Sequence, residues 1–229
     1  MQGGPEHIPS RPDERIDVAV EFPSIRALVS VCGATSNAGK TTTAENVIRA
    51  LKAAGLPVTA LKVTRTHLGD ACPRGVTTCG TCASLDQPFR LVTETLALAV
   101  PGKDTHRYMT AGADAVLWLL VHPSAMAAGI RAALGAVAAG HVVVAEGNSF
   151  RDFASADLTL LAWSRRFPPK SSSRVILDRV DGCVERPDTA SFGNGTEHPS
   201  PNPRVPQVNP DDIGSFVITH LGPRVVHRP

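Results

Sequence analysis

Residues 33–42 read GATSNAGKTT, a run of small side chains closing on a lysine and two threonines. Small residues let backbone N–H groups curl around phosphate oxygens, a lysine reaches the terminal phosphates, and a hydroxyl ligates magnesium. On that reading Asn37, Ala38 and Gly39 supply amides, Lys40 the charge and Thr41 the magnesium ligand. Such loops usually place four residues between their first glycine and the Gly-Lys-Thr, whereas five separate Gly33 from Gly39. Ala34 takes the usual glycine position, where a methyl group is tolerated at negative φ, and Gly33 eases the exit from a strand.

Phosphate chemistry with magnesium also needs an acidic group at the end of a neighbouring strand. HVVVAEGNSF puts Glu146 directly behind a run of apolar positions, so Glu146 is the second expected magnesium ligand. PGKDTHR reads as a turn into a helix, with Asp104 or Thr105 as cap and Arg107 on the first turn. Lys103 and Arg107 could meet phosphate or a carboxylated ligand there, and Asp104 could order water or magnesium. Lys40, Asp104 and Glu146 are the expected catalytic groups. VILDRVDG offers Asp178, Arg179 and Asp181 either as a degenerate guanine reader or as a plain strand exit.

A second chemistry is suggested by Cys72, Cys79 and Cys82, with His67 five residues ahead. Three thiolates and a histidine would complete a tetrahedral zinc site, and three thiolates alone would leave an open position for an iron–sulfur cluster or a substrate. Reduced loop cysteines or a redox pair read equally from the same spacing. Cys32 and Cys183 follow apolar runs and read as core residues.

The elements that must position these groups follow from hydrophobic pattern. Short apolar runs, RALVSVC, VTALKV, AVLWLLV, HVVVAEG, LTLLAW and RVILDRV, alternate with alanine-rich amphipathic segments. That alternation predicts βαβ units and an α/β, three-layer P-loop NTPase fold with a mostly parallel sheet flanked by helices. TTTAENVIRALKAAG places Val47, Ile48, Leu51 and Ala54 on one side at helical spacing, and PSAMAAGIRAALGAVAAG runs as a helix from Pro123 to Gly140. The organisation expected is a flexible leader over 1–24, the P-loop domain over 25–184 with a cysteine-containing insertion at 68–100, a Pro/Gly/Asn-rich linker over 185–208, and a C-terminal helix and tail over 209–229. That last helix is expected to start at Asn209 as cap, with Pro210 in its first turn.

Composition narrows the function classes. The 229 residues carry 23 basic and 21 acidic side chains, a net charge of +2, which leaves no global field to draw the chain to nucleic acid or to an anionic membrane. AVLWLLV falls far short of the roughly 18 apolar residues of a bilayer span. Five cysteines, an odd number, suit a reducing cytoplasm better than a disulfide framework.

At SNAGKTT, PGKDTHRYMTAGADAV and VVVAEGNSF, the chain resembles the MobB family, the GTP-binding proteins of molybdopterin guanine dinucleotide biosynthesis. The resemblance covers most of residues 27–150. It maps the family's nucleotide loop onto Ser36, Asn37, Ala38, Gly39, Lys40, Thr41 and Thr42, its Gly-Lys-Asp stretch onto residues 101–105 with Arg107, and its strand-ending Glu-Gly onto Glu146 and Gly147. It implies GTP binding, slow hydrolysis, a homodimer, and a helper role beside a cofactor-biosynthesis enzyme. The chain departs from that family after the second strand, where LKVTRTH keeps Lys62 but leaves only His67 of the family's histidines, and where a long cysteine-bearing stretch follows. The loop is also similar to that of the cobyric acid and dethiobiotin synthetases, which leaves ATP beside GTP. An ATP-dependent ligase or kinase, with a small substrate near Lys62, Lys103 and Arg107, is the second reading. A metal-delivery protein switched by nucleotide is the third.

Overall fold

The computed structural model describes residues 15–66, 85–169, 177–186 and 198–226. Among them eight strands form one sheet: β1 (Ala27–Gly33), β2 (Val58–Arg65), β3 (Phe89–Val92), β4 (Ala115–Val121), β5 (Val142–Glu146), β6 (Leu158–Trp163), β7 (Gly182–Glu185) and β8 (Gln207–Val208). Their order is β3-β4-β2-β5-β1-β6-β7-β8. Every pairing is parallel except β3 with β4. The helices are α1 (Val18–Glu21), α2 (Lys40–Ala53), α3 (Thr95–Leu98), α4 (Asp104–Thr110), α5 (Met126–Gly135), α6 (Ile213–Leu221) and α7 (Pro223–Val226).

Strands that are apolar at every position must be covered on both faces, and two large cores do this, with a smaller third around Leu161, Trp163 and Cys183. Val142 and Val144 of β5 face one core, while Val143 and Ala145 face the other. The first core receives Val47, Ile48 and Leu51 of α2, Tyr108 of α4, and Ile213, Val217 and Leu221 of α6. The second receives Met126, Ile130 and Leu134 of α5. Gly129 lets α5 lie close on the sheet edge, because a Cβ there would stand 3.1 Å from Val121 Cγ2 and 3.3 Å from Phe89 Cβ.

Several boundaries differ from expectation. The RVILDRV strand is not formed in its described part: Leu177 is not in a strand, Asp178 and Arg179 turn, and the strand falls at Gly182–Glu185, where it pairs with Leu160 to Trp163. The linker's described ends belong to the sheet, since Glu185 closes β7 and Gln207–Val208 pair beside it. FRLV within the insertion is an antiparallel edge strand that sequence alone missed; it alternates weakly and only Val92 is buried. The second long helix ends at Gly135 rather than Gly140. The last helix begins at Ile213, because Asn209 forms a turn ahead of it, accepting from the Asp211 amide at 3.0 Å.

The leader also has a structured end. Ile16 is fully buried and bridges to Ala154, and Val18 packs in the second core. Ile16, Val18, Val20 and Phe22 do alternate, but the run is short and stands among prolines and charges, so the segment reads as loose. Ile16→Ala should lower unfolding free energy by about 2–5 kcal/mol in urea titration. A loss of under about 0.5 kcal/mol, the scale of a surface substitution, would show that this segment does not pack.

Candidate active site

The residues that could do chemistry meet where the parallel strands end. β1 stops at Gly33, and the Ala34 amide donates to the Ala162 carbonyl at 2.9 Å, extending the β1–β6 ladder by one residue. The surplus residue therefore belongs to the sheet, not to the loop. Beyond it Asn37 (φ 60°) and Gly39 (φ 93°) are left-handed, and α2 starts at Lys40. Left-handed residues within a turn gather successive N–H groups into an anion-binding concavity, here at the positive end of a helix of 14 residues.

Gly33 has a steric reason that its sequence position does not reveal. A Cβ there would stand 2.7 Å from Cγ, 2.8 Å from Cδ and 2.9 Å from Nζ of Lys40, so the lysine folds back across the strand end. Asn148, which sequence reading passed over, holds that strand end. Its Oδ1 accepts from the Gly33 amide and its Nδ2 donates to the Gly33 carbonyl, both at 2.8 Å. Gly147, at φ 152° with Val63 O 3.0 Å from a Cβ position, lets β5 turn sharply enough to bring Asn148 there.

Beside the loop lies a cluster of charges. β5 runs between β2 and β1, and Glu146 is in register with Lys62 on one side and Val31 on the other. The Glu146 side chain is 2% exposed and its Oε1 lies 2.5 Å from Lys62 Nζ. Lys62 Nζ also lies 2.6 Å from Asp104 Oδ2. Thr41 Oγ1 stands 3.0 Å from Asp104 Oδ1 and 3.1 Å from Glu146 Oε2, and the buried Tyr108 hydroxyl donates to the same Glu146 oxygen. Burial raises the Asp104 carboxyl, but the hydrogen bond and charge of Lys62 outweigh it and hold the group below its ordinary range. Burial depresses Lys40, partly offset by Glu146. Burial also works against the Lys62 ammonium, yet the two carboxylates raise it overall. Tyr108 is pushed well up by burial and then by the charge of Glu146, so it stays a neutral donor.

Thr41, Asp104 and Glu146 are hard oxygen donors of the kind magnesium takes, and they converge on one spot. The structure thus brings together Lys40, Thr41, Asp104 and Glu146. Neither Asp104 nor Thr105 caps α4; Lys103 occupies the cap position, which frees the Asp104 carboxylate for the cluster, and the Thr105 hydroxyl donates to the Leu98 carbonyl.

Other expected residues have different surroundings. Arg107 is held by Glu45 of α2, with Nε and Nη2 donating at 3.0 and 2.6 Å, and Nη2 also reaches the Thr42 hydroxyl. It lines the cavity as one half of an ion pair. Lys103 is exposed outside the cavity lining. Asp181 precedes β7, and its Oδ2 accepts from the Thr159 amide at 2.7 Å, at the opposite end of the strands from the phosphate loop. It therefore cannot read a base, while Asp178 and Arg179, in the turn before it, are not among the residues lining the cavity. His67, Cys72, Cys79 and Cys82 lie outside the described residues; among those described, no group of three or more His, Cys, Asp or Glu could hold a metal. Burial pushes the Cys32 thiol up to about 11, as befits a core residue.

A cavity of about 680 Å³ runs from Lys62, Asp104 and Glu146 along residues 36–42 to Arg166, Phe167 and Arg186. These last three residues gave no sequence signal. Arg186 follows β7, donates to the Asn37 carbonyl at 2.7 Å, and lies against Gly39. Phe167 follows β6 and is 41% exposed, and its loop is fixed by Ser164, whose hydroxyl accepts from the Arg166 amide.

A mostly parallel sheet covered on both faces, with a Gly-Lys-Thr loop between its first strand and the following helix, defines a three-layer α/β P-loop NTPase fold. LpxK from Aquifex aeolicus, a structure solved with ATP, is similar to this chain at a TM-score of 0.46 and 17% identity, over 80% of this chain and 53% of LpxK. The chain thus spans about half the length of that protein. No family model and no curated protein matches the sequence.

Gly33→Ala should displace the Lys40 side chain while leaving the strand intact. Its affinity for inorganic tripolyphosphate, read by calorimetry, should fall about tenfold or more. An unchanged affinity would mean that the folded-back lysine is not the phosphate-binding form.

Proposed function

We propose that the protein binds a nucleoside triphosphate with magnesium and transfers or hydrolyses its terminal phosphoryl group. The observation that carries this reading is the placement of Lys40 over Gly33, one residue from a Thr41 hydroxyl that faces Asp104 and Glu146. A charged donor for phosphate and a set of oxygen ligands for its counter-ion then stand on two sides of one concavity.

Bound there, magnesium would supply charge neutralisation of the phosphates, with Thr41, Glu146 and Asp104 as its holders. The chain's own residues do the rest. Loop amides of residues 37–40 orient the phosphates, and Lys40 balances charge that builds on the leaving oxygen. Asp104, half-buried on the cavity wall, accepts a hydrogen bond from the attacking water or alcohol and orients it. The base extends toward Phe167 and Arg186, whose ring and guanidinium offer stacking faces without selecting strongly between adenine and guanine.

An accessory role in molybdenum-cofactor assembly, with GTP as nucleotide, a homodimer and a biosynthetic enzyme as partner, is supported by the motif resemblance alone. A kinase or ligase role is favoured by one feature, the exposure of Asp104 toward open cavity beside Lys62. Turnover that rises only with a small alcohol or carboxylate would select it. The cysteine-centred metal switch has no support among the described residues.

Lys40→Ala should weaken Mg·ATP and Mg·GTP binding by about 10- to 100-fold in calorimetry, the range for a lost charge-assisted contact; unchanged affinity for both would sink the reading. Phe167→Ala should weaken the nucleotides by about 1–3 kcal/mol and leave tripolyphosphate unaffected. Equal weakening of both ligands would place the base elsewhere.

A further inference from the structure

Lys62 stands where a divalent cation would stand. Its nitrogen lies 2.5 Å from Glu146 Oε1 and 2.6 Å from Asp104 Oδ2, while magnesium needs such oxygens at about 2.0–2.1 Å. Ammonium and metal ion cannot both occupy that position. The remaining oxygens of the same carboxylates are taken up by Thr41 and Tyr108.

Charge counting reaches the same result. Two ammoniums, Lys40 and Lys62, face two carboxylates, Asp104 and Glu146, and the cluster is neutral; nearby, Arg107 and Glu45 cancel each other. Tyr108 adds no charge. A dication entering beside an undisplaced Lys62 would leave two uncompensated positive charges at a site whose central carboxylate is 2% exposed. A triphosphate brings the missing negative charge, and a flexible four-carbon stem lets the Lys62 ammonium swing to it.

We propose that Lys62 is a resident counter-cation that keeps divalent metal off the Thr41, Asp104 and Glu146 oxygens until a polyphosphate draws its ammonium away. Metal and nucleotide then load together, and the nucleotide-free protein keeps its carboxylates paired. Removing the charge while keeping the stem, as in Lys62→Met, converts the cluster into a standing metal site. The inference rests on the proposed nucleotide site for its purpose, but its test contains no nucleotide.

The test is Mn²⁺ binding to the full chain, read from the free-ion signal in electron paramagnetic resonance. Nucleotide-free wild-type protein should bind Mn²⁺ weakly, and tripolyphosphate should bring the ion in. Lys62→Met without any phosphate should bind one Mn²⁺ per chain at least about tenfold more tightly than wild type. Adding Glu146→Gln to that variant should abolish the gain. A folded Lys62→Met protein with wild-type metal affinity would overturn the proposal. Where that variant is too unstable to titrate, the wild-type measurement still decides: submicromolar to about 100 µM Mn²⁺ affinity without phosphate, well inside the range of dedicated cation sites, would overturn it. A gain of metal with no nucleotide binding in any variant would keep this inference and remove the nucleotide reading.

Discussion

Glu146 is buried at the end of a strand that is flanked on both sides, and a carboxylate in that position must be met by donors or lose its charge. Lys62 meets it from the neighbouring parallel strand because the two residues share register. Parallel pairing puts both side chains on the same face, the face that α2 and α4 cover, so Thr41, Asp104 and Tyr108 arrive as lids on one ion pair. Removing Lys62 or Tyr108 takes a partner from the buried Glu146 carboxylate, which is why the loop, the two helices and the sheet centre depend on one another.

The topology gives that unit its ligand-facing side. The parallel strands β1, β2, β5 and β6 end together, and crevices at the carboxyl ends of such sheets are where ligands sit in open α/β folds. The first core anchors α2 from below through Val47, Ile48 and Leu51, so the helix start is held against the strand ends. On the far side, Asp157 and Asp181 use their carboxylates on the amides of Leu28 and Thr159. Identical residue types thus serve structure at one end of the sheet and a candidate site at the other, and only position along the strand separates them.

This explains what could be read from sequence. That Lys40 and Thr41 would meet Glu146 could be expected, because GATSNAGKTT joins a strand to a helix and Glu146 ends an apolar run. The sheet's central strands were legible because Val142 to Ala145 and their neighbours are apolar throughout. Lys62 was noticed only as a possible substrate contact, since nothing local shows that β2 and β5 are neighbours. Asn148, Tyr108 and Arg186 act over separations of dozens of residues or more, and their partners emerge only from the fold. Asp181 misled because a carboxylate after an apolar run looks the same at either end of a strand. The spare residue of the loop reads as an irregularity until Ala34 is seen pairing with Ala162.

The central claim is that the concavity over residues 34–42 is built for a triphosphate with magnesium, and titration calorimetry of the wild-type chain tests it most directly. Non-hydrolysable ATP and GTP analogues with magnesium should each saturate one site per chain, and the corresponding monophosphates should bind about a hundredfold or more weakly, as lost contacts to two phosphates require. Equal affinity for monophosphate and triphosphate, or no heat with any nucleotide, would contradict the account.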